Sequence, residues 1–308
     1  MGHSRWDSNV YASHSASRSV MSRSEIFRDA SQGMDERMDP KKITIREARD
    51  SDNHPNSTPI IIGLDVTGSM GMIAEYLAKT GLGVLVDEML QRRPVADPTV
   101  CFMAVGDAEM RDQAPLQVGQ FESDIVMAEW LEAIFLEGGG GGNNQESYDL
   151  PYLFGLYRTR TDAFEKRNEP GVLITIGDEL PCSGTPIDRV NRFLGSGPQE
   201  TIAFAELIES IRPIYTPYHI IIAEGHFAMR NVQRVKDAWR EYLGNAAIVI
   251  NDYKKTAELI VSMLDIDAGR SIDEALSPWN EETQVILRRS FSDFLSSGAN
   301  RLSRRMDI

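Results

Sequence analysis

Residues 60–70 read IIIGLDVTGSM, an unbroken apolar run that stops at Asp65 and is followed by hydroxyl and glycine residues. An apolar run of this kind predicts a strand that is buried on both faces, as in a parallel sheet covered by helices. Apolar residues then recur at helical spacing over residues 72–90. The stretch therefore predicts a strand followed by a helix, with a polar loop at the carboxyl end of the strand.

The same alternation of strands and helices continues along the chain. Further strands are predicted at residues 99–106, 115–121, 171–177, 218–224 and 246–250, the second of them short enough for an edge strand. Helices are predicted between them, one of which begins at a capping Ser123. We therefore expect an α/β fold: a doubly wound, mainly parallel sheet with helices on both faces. Sites in such sheets form beyond the carboxyl ends of the strands, where the winding direction reverses.

Composition divides the chain into three parts. Residues 1–58 are polar and predict an extended arm, in which the alternating residues 41–49 (KKITIREAR) form one short strand. Residues 59–267 carry the strand and helix pattern of a single domain. Residues 268–308 contain apolar side chains at roughly helical intervals and predict a C-terminal helix.

The charge distribution and the lack of long apolar runs exclude several classes of protein. The net charge is −14, and the whole deficit lies in residues 59–269, which hold 17 basic and 31 acidic side chains. An acidic domain repels phosphate backbones, so nucleic acid is not an expected partner. No apolar run approaches the length of a membrane span, and the two cysteines do not form a disulfide framework. We expect a cytoplasmic protein that does not associate with a membrane.

Polar residues follow two of the predicted strands. Asp65 ends the first, Asp178 follows the strand at residues 171–177, and a run of five glycines precedes Asn143. Asp65, Thr67 and Ser69 alternate on a tight turn, so their oxygen atoms can converge on one point. Three hard oxygen ligands of low total charge suit Mg²⁺ or Mn²⁺. The sequence therefore predicts a divalent cation at this turn.

The motif DVTGSM, followed in order by the glycine run and by ITIGDE, resembles the von Willebrand factor type A (vWA) domain and its metal-ion-dependent adhesion site (MIDAS). The resemblance covers residues 59–267 and is to the intracellular type found in bacteria and phages. It implies a Rossmann-like fold. The metal ligands that it implies are Asp65, Thr67, Ser69, Asn143 and Asp178.

The second and third loops depart from the family pattern. Asn143 stands where many members carry threonine, and Asn144 or Ser147 are alternative ligands in the same loop. The third loop reads Gly-Asp-Glu, so that Glu179 adds negative charge near the ion. The ligand from the second loop is therefore left open by the sequence.

The resemblance implies binding rather than catalysis. The cation would keep one coordination position for an Asp or Glu side chain of a partner protein, and the chain would act as a metal-dependent protein–protein interaction module. Intracellular members of this kind resemble adaptors for MoxR-type AAA+ ATPases or parts of larger assemblies. No enzymatic activity is expected.

The alternative is a phosphatase, because Asp-x-Thr-Gly-Ser also resembles the phosphorylated loop of haloacid-dehalogenase-like enzymes. In that case Asp65 would be the nucleophile and Asp178 would hold Mg²⁺. Two departures count against this interpretation: Thr67 stands where that family usually has a second acid, and Cys182 stands where its last motif usually repeats one.

Overall fold

The computed structural model describes residues 4–29, 31–110, 112–138, 143–195 and 200–297, without the side chains of Ser69 and Ser297. The strands within these residues are β1 (Arg46–Ala48), β2 (Thr58–Asp65), β3 (Pro98–Val105), β4 (Leu116–Val118), β5 (Thr159–Thr161), β6 (Gly171–Gly177), β7 (Gly184–Thr185), β8 (Ile202–Ala203), β9 (Tyr215–Ile222) and β10 (Ala247–Ile250). The α-helices are α1 (Ser8–Ser19), α2 (Arg23–Ile26), α3 (Gly71–Tyr76), α4 (Leu82–Arg92), α5 (Val126–Glu132), α6 (Asp149–Arg158), α7 (Asp162–Arg167), α8 (Ile187–Phe193), α9 (Phe204–Ile211), α10 (Ala228–Leu243), α11 (Thr256–Asp267), α12 (Ile272–Leu276), α13 (Glu281–Ser290) and α14 (Ser292–Ser297).

Six strands form the central sheet in the order β10-β9-β6-β2-β3-β4. Every neighbouring pair is parallel except β3 with β4, which is antiparallel. The chain winds outward from β2 through β3 to β4, returns to β6 and continues through β9 to β10, so the winding direction reverses between β2 and β6. The predicted fold class, a doubly wound and mainly parallel sheet, is confirmed.

Helices cover both faces of the sheet, which explains why the central strands are apolar throughout. Helices α4 and α11 pack together on one face, and α6, α9 and α10 pack on the other. Helix α6 lies close to the sheet at Gly155, where an added Cβ would be 3.2 Å from Leu173 and 3.6 Å from Ile61. Helix α6 therefore packs closely on β2 and β6.

The segment before the sheet contains a helix, α1, where the sequence predicted an extended arm. Asp7 caps this helix by accepting hydrogen bonds from the N–H groups of Asn9 and Val10. Its one buried residue, Tyr11, packs against α4, and Arg18 pairs with Glu132 at 2.8 Å. Local sequence patterns do not indicate tertiary contacts of this kind. Here the contacts stabilise a helix in a serine-rich segment.

Both edges of the central sheet are covered. Residues 36–38 lie against β4, where Met38 is fully buried, and Arg46 donates a hydrogen bond to the carbonyl of Val118 at 3.2 Å. The short strand predicted at residues 41–49 is β1, and it pairs with β5 instead of the central sheet. At the opposite edge α13 packs against β10. Covered edges do not offer unpaired backbone groups to other chains.

Helix α5 begins at Val126, so the predicted start at Ser123 is wrong. Asp124 accepts the hydrogen bond from the N–H of Val126 at 3.0 Å, whereas the Ser123 hydroxyl donates to the carbonyl of Ser4 at 3.0 Å. The long-range contact removes the capping group that the local pattern indicated. None of the helices in the described ranges combines the length and the apolar character needed to cross a bilayer.

Candidate metal centre

Asp65 and Asp178 lie next to each other at the carboxyl edge of the sheet. Asp65 is the last residue of β2, Asp178 directly follows β6, and these two strands are neighbours at the point where the winding reverses. Both residues are buried, with exposed fractions of 0% and 4%. The topology therefore places the two predicted aspartates where doubly wound sheets bind ligands.

Both carboxylate oxygens of Asp65 accept hydrogen bonds. Oδ1 accepts from the N–H of Thr67 at 2.9 Å and from its hydroxyl at 2.6 Å, and Oδ2 accepts from the Tyr148 hydroxyl at 2.7 Å. Burial, followed by the negative charge of Asp178, raises the pKa of Asp65 to about 7 despite these bonds. A carboxylate with so high a pKa gains from a nearby cation.

Gly177, the residue before Asp178, makes room for Tyr148. A Cβ at this position would be 1.9 Å from the Tyr148 hydroxyl oxygen, so a larger residue would displace the ring. The ring also packs edge-on against His219 and Trp239, with centroids 5.1 and 5.4 Å away. The buried aromatic cluster thus fixes the hydroxyl that orients Asp65.

The Asp178 carboxylate is held between β6 and the loop after β9. Its Oδ2 accepts a hydrogen bond from the N–H of Phe227 at 2.9 Å. A Cβ added at Gly225 would be 2.3 Å from the Asp178 Cβ, so this loop packs directly on the carboxylate. Burial raises the pKa of Asp178 as well.

Glu146, which the sequence did not single out, is a further buried acid in this region. Only 2% of the residue is exposed, and neither carboxylate oxygen has a hydrogen bond of good geometry among the described residues, because the nearby Thr67 hydroxyl donates to Asp65 instead. Burial, then the negative charges of Asp65, Glu179 and Asp107, raises the pKa of Glu146 to about 10. Burial and the charge of Asp178 raise the pKa of Glu179 to about 7. These carboxylates are therefore close enough to repel one another.

Asp107 follows β3 and is also buried, with 1% exposed. It accepts hydrogen bonds from the N–H of Glu109 at 2.7 Å and from the side-chain amide of Asn143 at 2.8 Å. A signal for this residue exists in the sequence, because Gly106-Asp107 repeats the Gly-Asp pair that ends β6. Three neighbouring strands, and not two, therefore end next to an aspartate.

The structure brings Asp65, Thr67 and Asp178 together. The side-chain amide of the predicted ligand Asn143 donates its hydrogen bond to Asp107. The side chain of Ser69 and the glycines at 139–142 lie outside the described part of the chain. Of the alternatives in the second loop, Asn144 is exposed, and the Ser147 hydroxyl oxygen accepts a hydrogen bond from the N–H of Ala108 at 3.0 Å.

The donor chemistry of the region suits a hard divalent cation. In the described ranges, no three carboxylate, imidazole or thiolate side chains are placed to hold a metal ion by themselves. A bound ion would therefore need the hydroxyl of Thr67 or the amide of Asn143 besides the carboxylates, which is the mixed oxygen set that Mg²⁺ accepts. No lysine or arginine among the described residues pairs with Asp65, Glu146, Asp178 or Glu179. The residues present thus fit a cation, and positive charge on the nearby His226 imidazole lowers the pKa of Asp178 by less than burial raises it.

No family model matches the sequence, and no curated protein matches it. Solved structures that resemble the chain include the open conformation of the pilus adhesin SpaC from Lactobacillus rhamnosus GG, with 9% identity and a TM-score of 0.43 over 80% of this chain and 31% of that one. They also include a von Willebrand factor type A protein from Catenulispora acidiphila, with 17% identity and a TM-score of 0.39 over 70% and 44% of the two chains. Proximal thread matrix protein 1 from the mussel byssus has 13% identity and a TM-score of 0.39 over 73% and 49%. The chain thus matches between about a third and a half of the length of these proteins.

Proposed function

We propose that the chain is a metal-dependent protein–protein interaction module without catalytic activity. A Mg²⁺ or Mn²⁺ ion is held by Asp65, Thr67 and Ser69, with Asp178 and Asn143 contributing from the neighbouring loops. The observation that carries this proposal is the group of buried carboxylates at the switch point, which have raised pKa values and no cationic partner among the described residues. Buried charges of this kind are normally paired or bound to metal.

We also assign a role to Glu146. Burial and the neighbouring acids disfavour the charged form of Glu146 and raise its pKa to about 10, and we propose that a bound cation lowers this pKa, so that Glu146 ionises and adds negative charge beside Asp65. The cation, when bound, supplies an electrophilic centre for a carboxylate from a partner protein. The residues of this chain orient the ligands: Tyr148 fixes one oxygen of Asp65, and the N–H of Phe227 fixes one oxygen of Asp178.

A phosphatase is the weaker proposal. Thr67, at the position where that family usually has a second acid, instead donates its hydroxyl to Asp65 at 2.6 Å. Cys182, at the position where a second acid would be expected, is a buried thiol. For the partner, an AAA+ ATPase of the MoxR type remains our proposal on the family resemblance alone.

Calorimetric titration with Mn²⁺ tests the metal site. We expect one Mn²⁺ per chain for the wild type, and an affinity at least roughly 100-fold lower for Asp65→Asn, because even indirect partners of metal ligands change affinity by 10- to 100-fold. The Asp65→Ala/Ser69→Ala double variant should not bind. Asp188→Asn, which changes an exposed carboxylate on α8, is the matched control and should bind as the wild type does. Equal affinity for wild type and a folded Asp65→Asn variant would refute the site.

Affinity capture tests the interaction itself. Wild type and Asp65→Asn are used as bait in parallel, with Mg²⁺ and with a chelator. The proposal requires at least one protein that wild type retains in Mg²⁺ and that both the chelator and the substitution release.

A further inference from the structure

The candidate metal centre is flanked by two exposed methionines. Met110 follows β3 and is 47% exposed, and Met229 lies in the first turn of α10, after β9, and is 63% exposed. The Met110 N–H donates to Asp107 at 3.2 Å, and the Met229 N–H donates to the carbonyl of Gly225 at 2.9 Å. Both residues are therefore attached directly to loops of the metal centre.

The strand order places the two methionines on opposite sides of the centre. β9 and β3 flank the two middle strands, β6 and β2, which end next to Asp178 and Asp65. Because neighbouring strands are about 4.8 Å apart, β9 and β3 are separated by roughly 14 Å. Methionine is flexible and polarizable, and it is common on surfaces that bind varied apolar side chains.

The Met229 side of the surface is basic. Arg230 and Arg234 are exposed, and no ion-pair partner of either is found in the described ranges. Further along the same helix, Lys236 and Arg240 both pair with Asp293. The two arginines near the metal centre thus keep their charge free for an acidic partner, although the chain as a whole carries a net charge of −14.

The repeat of an extended peptide segment matches the separation of β9 and β3. In such a segment every second side chain points to the same side, and residues four apart are separated by about 13 Å. If such a segment crosses the ends of these strands with a carboxylate over the metal centre, the side chains two positions before and after it face the loops that carry Met110 and Met229.

We propose that the metal face binds an extended acidic segment of a partner protein. In this segment the metal-bound Asp or Glu has an apolar residue two positions away on each side, one contacting Met110 and the other Met229. A further acidic residue, beyond the apolar residue at Met229, contacts Arg230 and Arg234. This inference rests on the proposed function and specifies the kind of sequence that the site recognises.

Selection from a displayed library of random peptides tests the inference, with the full-length chain as bait in Mg²⁺ and in a chelator. We expect the Mg²⁺-dependent peptides to share an acid with apolar residues at both second-neighbour positions. Synthetic copies should bind Met110→Ser and Met229→Ser about tenfold more weakly, because half-buried apolar contacts are lost. Arg230→Gln/Arg234→Gln should weaken peptides that carry the additional acid. Val285→Ser, at a residue that is 52% exposed on α13, is the matched control and should have no effect.

Mn²⁺ titration of each variant separates failure of this inference from failure of the proposed function. If wild type does not bind Mn²⁺, the proposed function is wrong. If Mn²⁺ binds but selection is not metal-dependent, or the selected acids lack apolar neighbours, or the methionine variants bind the peptides as well as wild type, this inference is wrong and the metal site stands. A Mg²⁺-dependent dimer in sedimentation velocity that Met229→Ser abolishes would also overturn it, because the occupant would then be a second copy of the chain.

Discussion

Asp65 and Asp162 are both buried aspartates, but their surroundings shift their pKa values in opposite directions. Asp162, at the start of α7, is 2% exposed and pairs with Arg49 at 2.8 Å and Lys166 at 2.6 Å. Although burial alone would raise it, these bonds lower the pKa of Asp162 to about 2. The pKa of Asp65, which is fully buried next to another acid, is about 7. Among the described residues, Arg49 and Lys166 pair with Asp162, whereas no lysine or arginine pairs with Asp65.

The pH dependence of stability should give the largest contrast between the two residues. Raising a carboxyl pKa from about 4 to about 7 lowers the free energy of unfolding by roughly 4 kcal/mol once the pH exceeds 7. Between about pH 4 and pH 7 the folded state binds more protons than the unfolded state at Asp65 and Glu179, so the metal-free protein should lose stability over this range, and Glu146, with a pKa of about 10, continues the loss above it. Asp162 acts in the opposite sense, since its contribution is lost only as the pH falls from about 4 to about 2.

Urea unfolding between pH 5 and pH 8 measures this effect, with a chelator and with saturating Mg²⁺. Metal binding displaces protons from its ligands, so Mg²⁺ should flatten the decline above pH 5. Identical pH profiles with and without Mg²⁺ would mean that the metal does not offset the charge of Asp65, and the proposed difference between Asp65 and Asp162 would then be wrong.

The matched substitutions Asp162→Asn and Glu146→Gln should affect stability differently. Asp162→Asn removes a charged acceptor from Arg49 and Lys166 and should lower the free energy of unfolding by about 2 kcal/mol, with or without Mg²⁺. Glu146→Gln removes an unpartnered acid, so it should not destabilise the protein in a chelator, but it should reduce the stabilisation that Mg²⁺ provides. Thermal unfolding of both variants checks this, and a large loss for Glu146→Gln in the chelator would mean that its carboxylate has a structural role.

The smallest expected effect concerns the hydroxyl that orients Asp65. Tyr148→Phe keeps the ring packing and removes one hydrogen bond, so we expect Mn²⁺ affinity to fall about tenfold and the free energy of unfolding to fall by about 1 kcal/mol. Tyr215→Phe is the matched control, because it removes a buried phenol bond of 2.9 Å to Thr159, away from the metal centre. If the two variants lose the same stability and neither loses Mn²⁺ affinity, Tyr148 does not position the ligand.

Much of the fold was predictable because continuous apolar strands and turn residues are local signals. The positions of Asp65 and Asp178 followed from the same signals, since parallel strands present their carboxyl ends at one edge. Helix α1 could not be predicted, because it depends on Tyr11 packing against α4. The start of α5 was missed for a similar reason: the Ser123 hydroxyl bonds to Ser4, which is distant in sequence.

The candidate site was predictable only in part. The sequence around Glu146 does not indicate that this residue is buried. Its raised pKa depends on burial and on three acids from other loops. Asp107 could have been found, because Gly106-Asp107 repeats the pair at the end of β6. Sequence patterns therefore indicated which strand ends carry site residues. The mutual repulsion of the buried acids could be recognised only from their positions in the structure.

The covered edges of the sheet also determine what happens to a shortened chain. A protein reduced to the predicted domain at residues 59–267 would lose α13 from β10 and residues 36–38 from β4. Each exposed strand would then offer a row of unsatisfied N–H and C=O groups to a neighbouring molecule. The two extensions thus protect the edges of the sheet against aggregation. A chain without them would form insoluble assemblies and would not be suitable for measuring partner binding.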